Sequence, residues 1–120
     1  MNIELELSYK VKQINDESMK RYLQNKAEER PFDFYEDIKP VFEEGSRIAV
    51  KWKELIEERY KTDRPKHIHP SQLESAVSNI EQQILQSFDP KAKSVRYKNT
   101  KESIDYVVNS VIDWLIKKES

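Results

Sequence analysis

One glycine, Gly45, in 120 residues restricts this chain more than any other feature. Tight β-hairpins need residues at positive φ, which glycine supplies most readily. Phosphate-cradling loops need several glycines at short spacing. One glycine argues strongly against both a hairpin-rich sheet and a glycine-rich phosphate loop. Helix remains. Charged residues form 36% of the chain and apolar residues 37%, a balance that suits helices with one apolar stripe and long charged outer faces. Cysteine is absent, which removes disulfides, thiolate metal sites and cysteine nucleophiles.

The apolar spacing places four helices. Leu7, Val11, Ile14, Met19, Tyr22, Leu23 and Ala27 recur near helical period over about 2–29. The alternation Ile3, Leu5, Leu7, Tyr9, Val11 also fits a strand, but no other segment offers it a partner. Arg30-Pro31 stops the helix, because a residue before proline is pushed out of the helical region. Asp33 with Glu36 has capping-box spacing. Pro40 then breaks or kinks a short element, since it lacks an amide donor and crowds the carbonyl of Glu36. Gly45 fits a left-handed helix end, with Ser46 capping the next helix. A second long helix is expected over 47–61, carrying Ile48, Trp52, Leu55, Ile56 and Arg59.

Pro70 suits the first position of a third helix. That helix turns Leu73, Ala76, Val77, Ile80, Ile84 and Phe88 inward and stops at Asp89-Pro90. Asn99 with Glu102 has capping-box spacing and opens the last helix, whose apolar set is Ile104, Val107, Val108, Val111, Ile112 and Leu115, with Trp114 at the edge. The expectation is an all-α fold. It is one antiparallel four-helix bundle over residues 1–120, with a short proline-broken helical element between the first two long helices.

Residues 32–70 hold the irregular features: Asp33-Phe34-Tyr35-Glu36-Asp37-Ile38-Lys39-Pro40, then Trp52, then Arg64-Pro65-Lys66 with His69. With Leu85-Gln86-Ser87-Phe88 and the Ser103-containing start of the last helix, these motifs resemble the YppE-like family. Its members are small all-helical proteins of unknown function from Gram-positive bacteria of the Bacillus, Listeria and Staphylococcus type. The resemblance spans roughly residues 32–112. It implies a four-helix bundle in the cytoplasm and implies no activity. At the position of His67 it implies an aromatic as readily as a histidine.

Few residues point to chemistry. His67 and His69 face the same way in an extended segment and could grip one metal, with Asp63 the nearest third ligand. The plainer account is a connection packed over the bundle end, and no metal or cofactor is expected. A di-iron bundle needs Glu-x-x-His pairs, and the chain has none. No serine stands in a nucleophile elbow. Glu36 and Asp37 are adjacent and do not face a common point on a helix. The expectation is a protein that is not an enzyme.

Lys91, Lys93, Arg96, Lys98 and Lys101 surround Tyr97 and could hold a polyanion, with the aromatic stacking on bases. The formal net charge of −1 argues against a protein that lives on nucleic acid. Residues 31–63 carry nine acids against six bases and residues 91–120 seven bases against four acids. In an up-down bundle the first and third connections share an end. The basic run is therefore expected to face Asp33, Glu36 and Asp37 of the same molecule.

The aromatics Phe32, Phe34, Tyr35 and Phe42 cannot all point inward from so short an element. They form either a lid on the bundle or, where one or two stay outside, a contact surface. The N-terminus lacks the basic start and apolar run of a signal peptide, and no segment approaches a membrane span, which places the protein in the cytoplasm. The leading expectation is a small interaction protein, an adaptor or regulator with an unknown protein partner, itself a monomer or weak homodimer. Its expected surface comprises Phe34, Tyr35, Lys39, Arg64, Lys66 and His69, in two patches if Phe34 and Tyr35 belong to the first connection. The alternative is a polyanion or nucleic-acid binder acting through residues 91–101.

Overall fold

The computed structural model describes residues 2–119. Helix α1 spans Ile3–Glu28, α2 Lys39–Tyr60, α3 Pro70–Gln86 and α4 Ser94–Glu119, with a single wide turn at Phe34–Ile38 before α2. Each helix packs on its chain neighbour, α1 closes the ring against α4, and α1 also touches α3 across the diagonal. The result is a four-helix bundle 46 Å long.

Proline sets two helix starts. Pro70 opens α3, as the spacing predicts. Pro40 does not break a helix; it sits in the first turn of α2, where its missing N–H is no loss. Asn2 caps α1 by accepting the Leu5 N–H at 3.1 Å. Glu29 ends α1 in the left-handed region, φ 50°, with its N–H on the Asn25 carbonyl, the single-bond C-terminal cap.

Three expected boundaries fail. Gly45 does not end a helix. It lies inside α2 and has no positive φ, so α2 begins at Lys39 rather than near Arg47. Gly45 is needed for space: a Cβ there would collide with Ile84 Cδ1. Ser46 caps nothing, and its hydroxyl donates to Glu81 Oε2 at 2.6 Å. Helix α4 starts at Ser94, leaving Asn99 and Glu102 inside it. That extra turn is held by Tyr97, which is 1% exposed.

The expected inner faces of α3 and α4 are buried, Trp114 included, with Val107 packed partly against the core. In α2, Trp52 and Ile56 are fully buried together with Ala49. Helix α1 differs. Its buried stripe is Ser8, Val11, Asn15, Ser18, Tyr22 and Asn25, a regular 3-4 spacing in which four of six residues are polar. Leu23 and Ala27 point outward instead. The stripe is held by hydrogen bonds. Trp52 Nε1 donates to Ser8 Oγ at 2.9 Å, and Asn25 Nδ2 donates to the Ser87 carbonyl at 2.9 Å. Asn15 Nδ2 donates to the Lys101 carbonyl at 3.1 Å and to Asp105 Oδ1 at 2.9 Å.

Candidate functional site

The first connection forms a rigid knuckle. Asp33 Oδ2 accepts the Glu36 N–H at 2.7 Å, and Asp37 Oδ2 accepts the Asp33 N–H at 2.9 Å. This is a reciprocal cap of the expected kind, with Asp37 rather than Glu36 reaching back. The turn is one residue wider than an α-turn: the Ile38 N–H bonds the Asp33 carbonyl and the Lys39 N–H bonds the Phe34 carbonyl. That width moves the reciprocal carboxylate one position along.

The knuckle divides its aromatics. Phe32 turns inward and meets the Phe88 ring edge-on, centroids 5.1 Å apart. Ile38 and Phe42 also pack against the core. Phe34 and Tyr35 stay outside, 52% and 73% exposed, and stack edge-to-face at 5.2 Å. Lys39 Nζ lies 5.7 Å from the Tyr35 ring centre and 3.7 Å from Glu43 Oε1. The lid is therefore made by Phe32, Ile38 and Phe42, without Phe34 or Tyr35.

The second connection lies at the opposite end. Lys118 Nζ bonds Asp63 Oδ2 at 3.1 Å there, while Phe32 and Phe88 mark the other end. Ile68 is buried and both histidines beside it are exposed, as alternation in an extended segment requires. The His69 N–H donates to Gln72 Oε1 at 2.8 Å, so His69 stands at the N-cap of α3. Arg64 lies over the Tyr60 ring at 5.7 Å, and Lys66 is exposed. The six surface residues thus fall into two patches: Phe34, Tyr35 and Lys39 at one end, and Arg64, Lys66 and His69 at the other. Among the described residues, no three or more His, Cys, Asp or Glu side chains gather closely enough to hold a metal ion.

The basic run is not the aromatic-bearing strip that its sequence suggests. Tyr97 is buried and stacks on Tyr22 with centroids 4.0 Å apart and planes 5° from parallel. Its hydroxyl donates to the Gln83 carbonyl at 3.0 Å, and Gln83 Nε2 donates to the Tyr97 carbonyl at 3.1 Å. Burial pushes the Tyr97 phenol well above its usual pKa. Burial also disfavours the Lys101 ammonium, but hydrogen bonds and charge from Asp105 and Asp16 outweigh it and raise its pKa. Those carboxylates lie 2.6 Å and 3.2 Å away. Internal pairing therefore occurs, but with α1 and α4. Among the described residues no ion pair links the basic run to Asp33, Glu36 or Asp37.

A further site lies between α1 and α2, where the sequence suggests only a helix seam. It is a cleft of about 370 Å³. Its apolar lining is aliphatic, including Leu7, Ile14, Ile48 and Ile84, and Gly45, itself buried, lies at its floor. Arg21 lines it from α1, and Val41, Arg47 and Lys51 line it from α2. Arg21 Nε donates to Ser87 Oγ at 2.8 Å, one terminal nitrogen lies 3.4 Å from Ser18 Oγ, and the Phe88 ring is 4.5 Å below. Burial pulls the Arg21 pKa down, opposed by the charges of Tyr97 and Glu17. None of Arg21, Arg47 and Lys51 forms an ion pair with a carboxylate among the described residues. The sequence signal for this cleft was Gly45: a glycine inside a helix, where it costs about 1 kcal/mol, marks a close approach.

Among the described residues no helix is long and apolar enough to cross a membrane. Comparison with known proteins finds likeness in sequence and fold. The chain is 31% identical over 116 residues to the uncharacterized protein YppE of Bacillus subtilis (strain 168), covering 97% of this chain and 94% of that protein. The crystal structure of Bacillus subtilis YppE superposes with a TM-score of 0.93 at 30% identity, covering 99% of this chain and 98% of that one. A Listeria innocua protein of unknown function matches with the same TM-score and identity over 97% of this chain and 93% of its own. Residues 8–115 match a bacterial domain of unknown function, DUF1798, and the chain belongs to that family.

Proposed function

We propose that this chain is a small non-enzymatic binding protein, an adaptor or regulator of the cytoplasm, whose contact surface is the knuckle Phe34, Tyr35 and Lys39. The observation that carries this reading is the exposure of two adjacent aromatic rings, 52% and 73%, on a turn locked by two carboxylate–amide bonds. Aromatic rings on rigid backbone give contact area at little entropic cost, and such residues dominate binding surfaces. Arg64, Lys66 and His69 form a second, more polar patch at the far end. Two patches on one rigid bundle suit a protein that bridges partners. Tyr97 and Lys101, two groups with displaced pKa values, are engaged in packing and ion pairing, as structural rather than catalytic residues are. The chain itself is read as a monomer or weak homodimer.

The test is retention of a partner from the source cell by immobilised protein, with the retained protein then purified and rebound. Phe34→Ser with Tyr35→Ser should abolish rebinding while leaving the melting curve unchanged. Arg64→Glu with Lys66→Glu should remove a second, different partner. Rebinding should persist at high salt, because apolar contacts are not screened. Unchanged rebinding by the aromatic double variant would refute the knuckle. Binding that vanishes with salt and tracks Lys91 to Lys98 would favour a polyanion instead. Against that alternative, Tyr97 is enclosed and offers no face for a base to stack on.

A further inference from the structure

The α1–α2 cleft is distinct from both end patches. Its length follows from its lining. Leu7 to Arg21 on α1 spans fourteen residue steps, about 21 Å at 1.5 Å per residue. Its volume of about 370 Å³ lies in the range of small-molecule sites. The cleft is therefore long and thin. A helix of about 10–12 Å diameter would rest on it rather than enter it. Among the described residues no aromatic ring lines it, so it offers none of the flat surfaces that hold nucleobases or other ring systems. Methyl and methylene groups from the half-buried Leu7, Ile14 and Ile48, laid over buried Ile84, suit a flexible alkyl chain.

The charge in the cleft is equally specific. Arg21 has five N–H groups, of which two meet Ser87 and Ser18. Its guanidinium is half-buried over Phe88, and Glu17 acts on it through charge without forming an ion pair among the described residues. Enclosed charges are ordinarily paired, because desolvation without a counter-ion is costly. A planar fork with free N–H groups is matched by a carboxylate. Arg47 and Lys51 add positive charge from α2. Glu17 and Glu44 also line the cleft, leaving the positive charge in excess.

We propose that this cleft binds a long-chain carboxylate, a fatty-acid-like amphiphile, with its head on Arg21 and its chain laid over Gly45 toward Leu7. Glycine at position 45 lets Ile84 reach the floor, since a Cβ there would meet Ile84 Cδ1. The proposal does not rest on the aromatic knuckle, and the two stand or fall separately.

The experiment measures binding of myristate and of tetradecanol, the same chain without the anion, by calorimetry below their aggregation limits. The wild-type protein should bind myristate saturably at one site per chain and tetradecanol far more weakly. Arg21→Leu should weaken myristate by about 10–100-fold, the worth of a charge-assisted bond, and leave tetradecanol unchanged. Val41→Trp, at a lining position that is 37% exposed, should block both ligands without disturbing the core. Should Arg21→Leu fail to fold, Val41→Trp decides alone. Absence of saturable myristate binding would overturn the proposal. So would equal affinity for alcohol and acid, or binding indifferent to Val41→Trp. Capture of an acidic amphipathic peptide in place of myristate would overturn it also.

Discussion

Gly45→Ala, made with and without Ile84→Val, tests why the chain keeps a glycine in the middle of α2. Alanine in a helix interior is more favourable than glycine by about 0.8–1.0 kcal/mol. Against this, the new Cβ would collide with Ile84 Cδ1, whereas its next neighbours, Ile14 Cγ2 and Ile84 Cγ1, stand at 3.7 Å, an ordinary contact. Cδ1 is the tip of a side chain, and swinging it about 30° off its rotamer costs about 0.5–1.5 kcal/mol. The two effects nearly cancel, so Gly45→Ala alone should be within about 0.5 kcal/mol of neutral. Ile84→Val removes the offending methyl and by itself costs about 0.5–1.5 kcal/mol. In that background Gly45→Ala should recover its full helical gain of about 1 kcal/mol. The cycle therefore predicts a favourable coupling of about 1 kcal/mol, above the ~0.3–0.5 kcal/mol expected of independent sites. Urea unfolding followed by circular dichroism gives all four stabilities. If Gly45→Ala changes stability equally in both backgrounds, the close approach of Ile84 is not the reason for the glycine.

Four further predictions separate buried from exposed groups. Phe34→Ala should change stability by less than about 0.5 kcal/mol, as surface substitutions do. Phe32→Ala, which removes the ring packed on Phe88, should cost about 2 kcal/mol in the same unfolding assay. Asp33→Ala removes the cap on the Glu36 N–H and should cost about 1 kcal/mol; an unchanged unfolding midpoint would show that the wide turn stands without it. Tyr97→Phe leaves the Gln83 carbonyl without the phenol and should cost about 1 kcal/mol at neutral pH. Because the folded-state Tyr97 pKa is raised, its contribution is complete below the unfolded value near ~10 and is lost as pH rises above it. Alkaline unfolding curves of Tyr97→Phe should therefore lack part of the wild-type decline.

The helices of this fold are legible where burial is apolar. Leu73, Val77, Ile80 and Ile84 announce the inner face of α3 despite the buried Gln83 among them, and Ile104, Val108, Val111 and Leu115 announce that of α4. Helix α1 is legible as a helix but not in its orientation. Its buried stripe carries Ser8, Asn15, Ser18 and Asn25, and a search for apolar period passes over such residues. The burial of Ser8, Asn15 and Asn25 depends on partners distant in the chain, namely Trp52, the carbonyls of Ser87 and Lys101, and Asp105. The cleft is hidden for a related reason: Gly45 reads equally as a helix end or as a close approach, and only the position of Ile84 decides. The knuckle was visible as a cluster, but which rings face water follows from a turn one residue wider than a capping box implies. Helix α1 also shows what such polar burial does. Each hydrogen bond nets only about 1 kcal/mol, whereas a buried group left without a partner costs about 1–3 kcal/mol. Asn15 illustrates the constraint. Both of its amide hydrogens are used, and turning the amide over would set its oxygen against a carbonyl and the Asp105 carboxylate, although Oδ1 has no partner as it stands. Sliding α1 by one turn would orphan Ser8, Asn15 and Asn25 together. The polar stripe thus adds little to stability and fixes one register for α1 against α2, the seam on which the cleft is built.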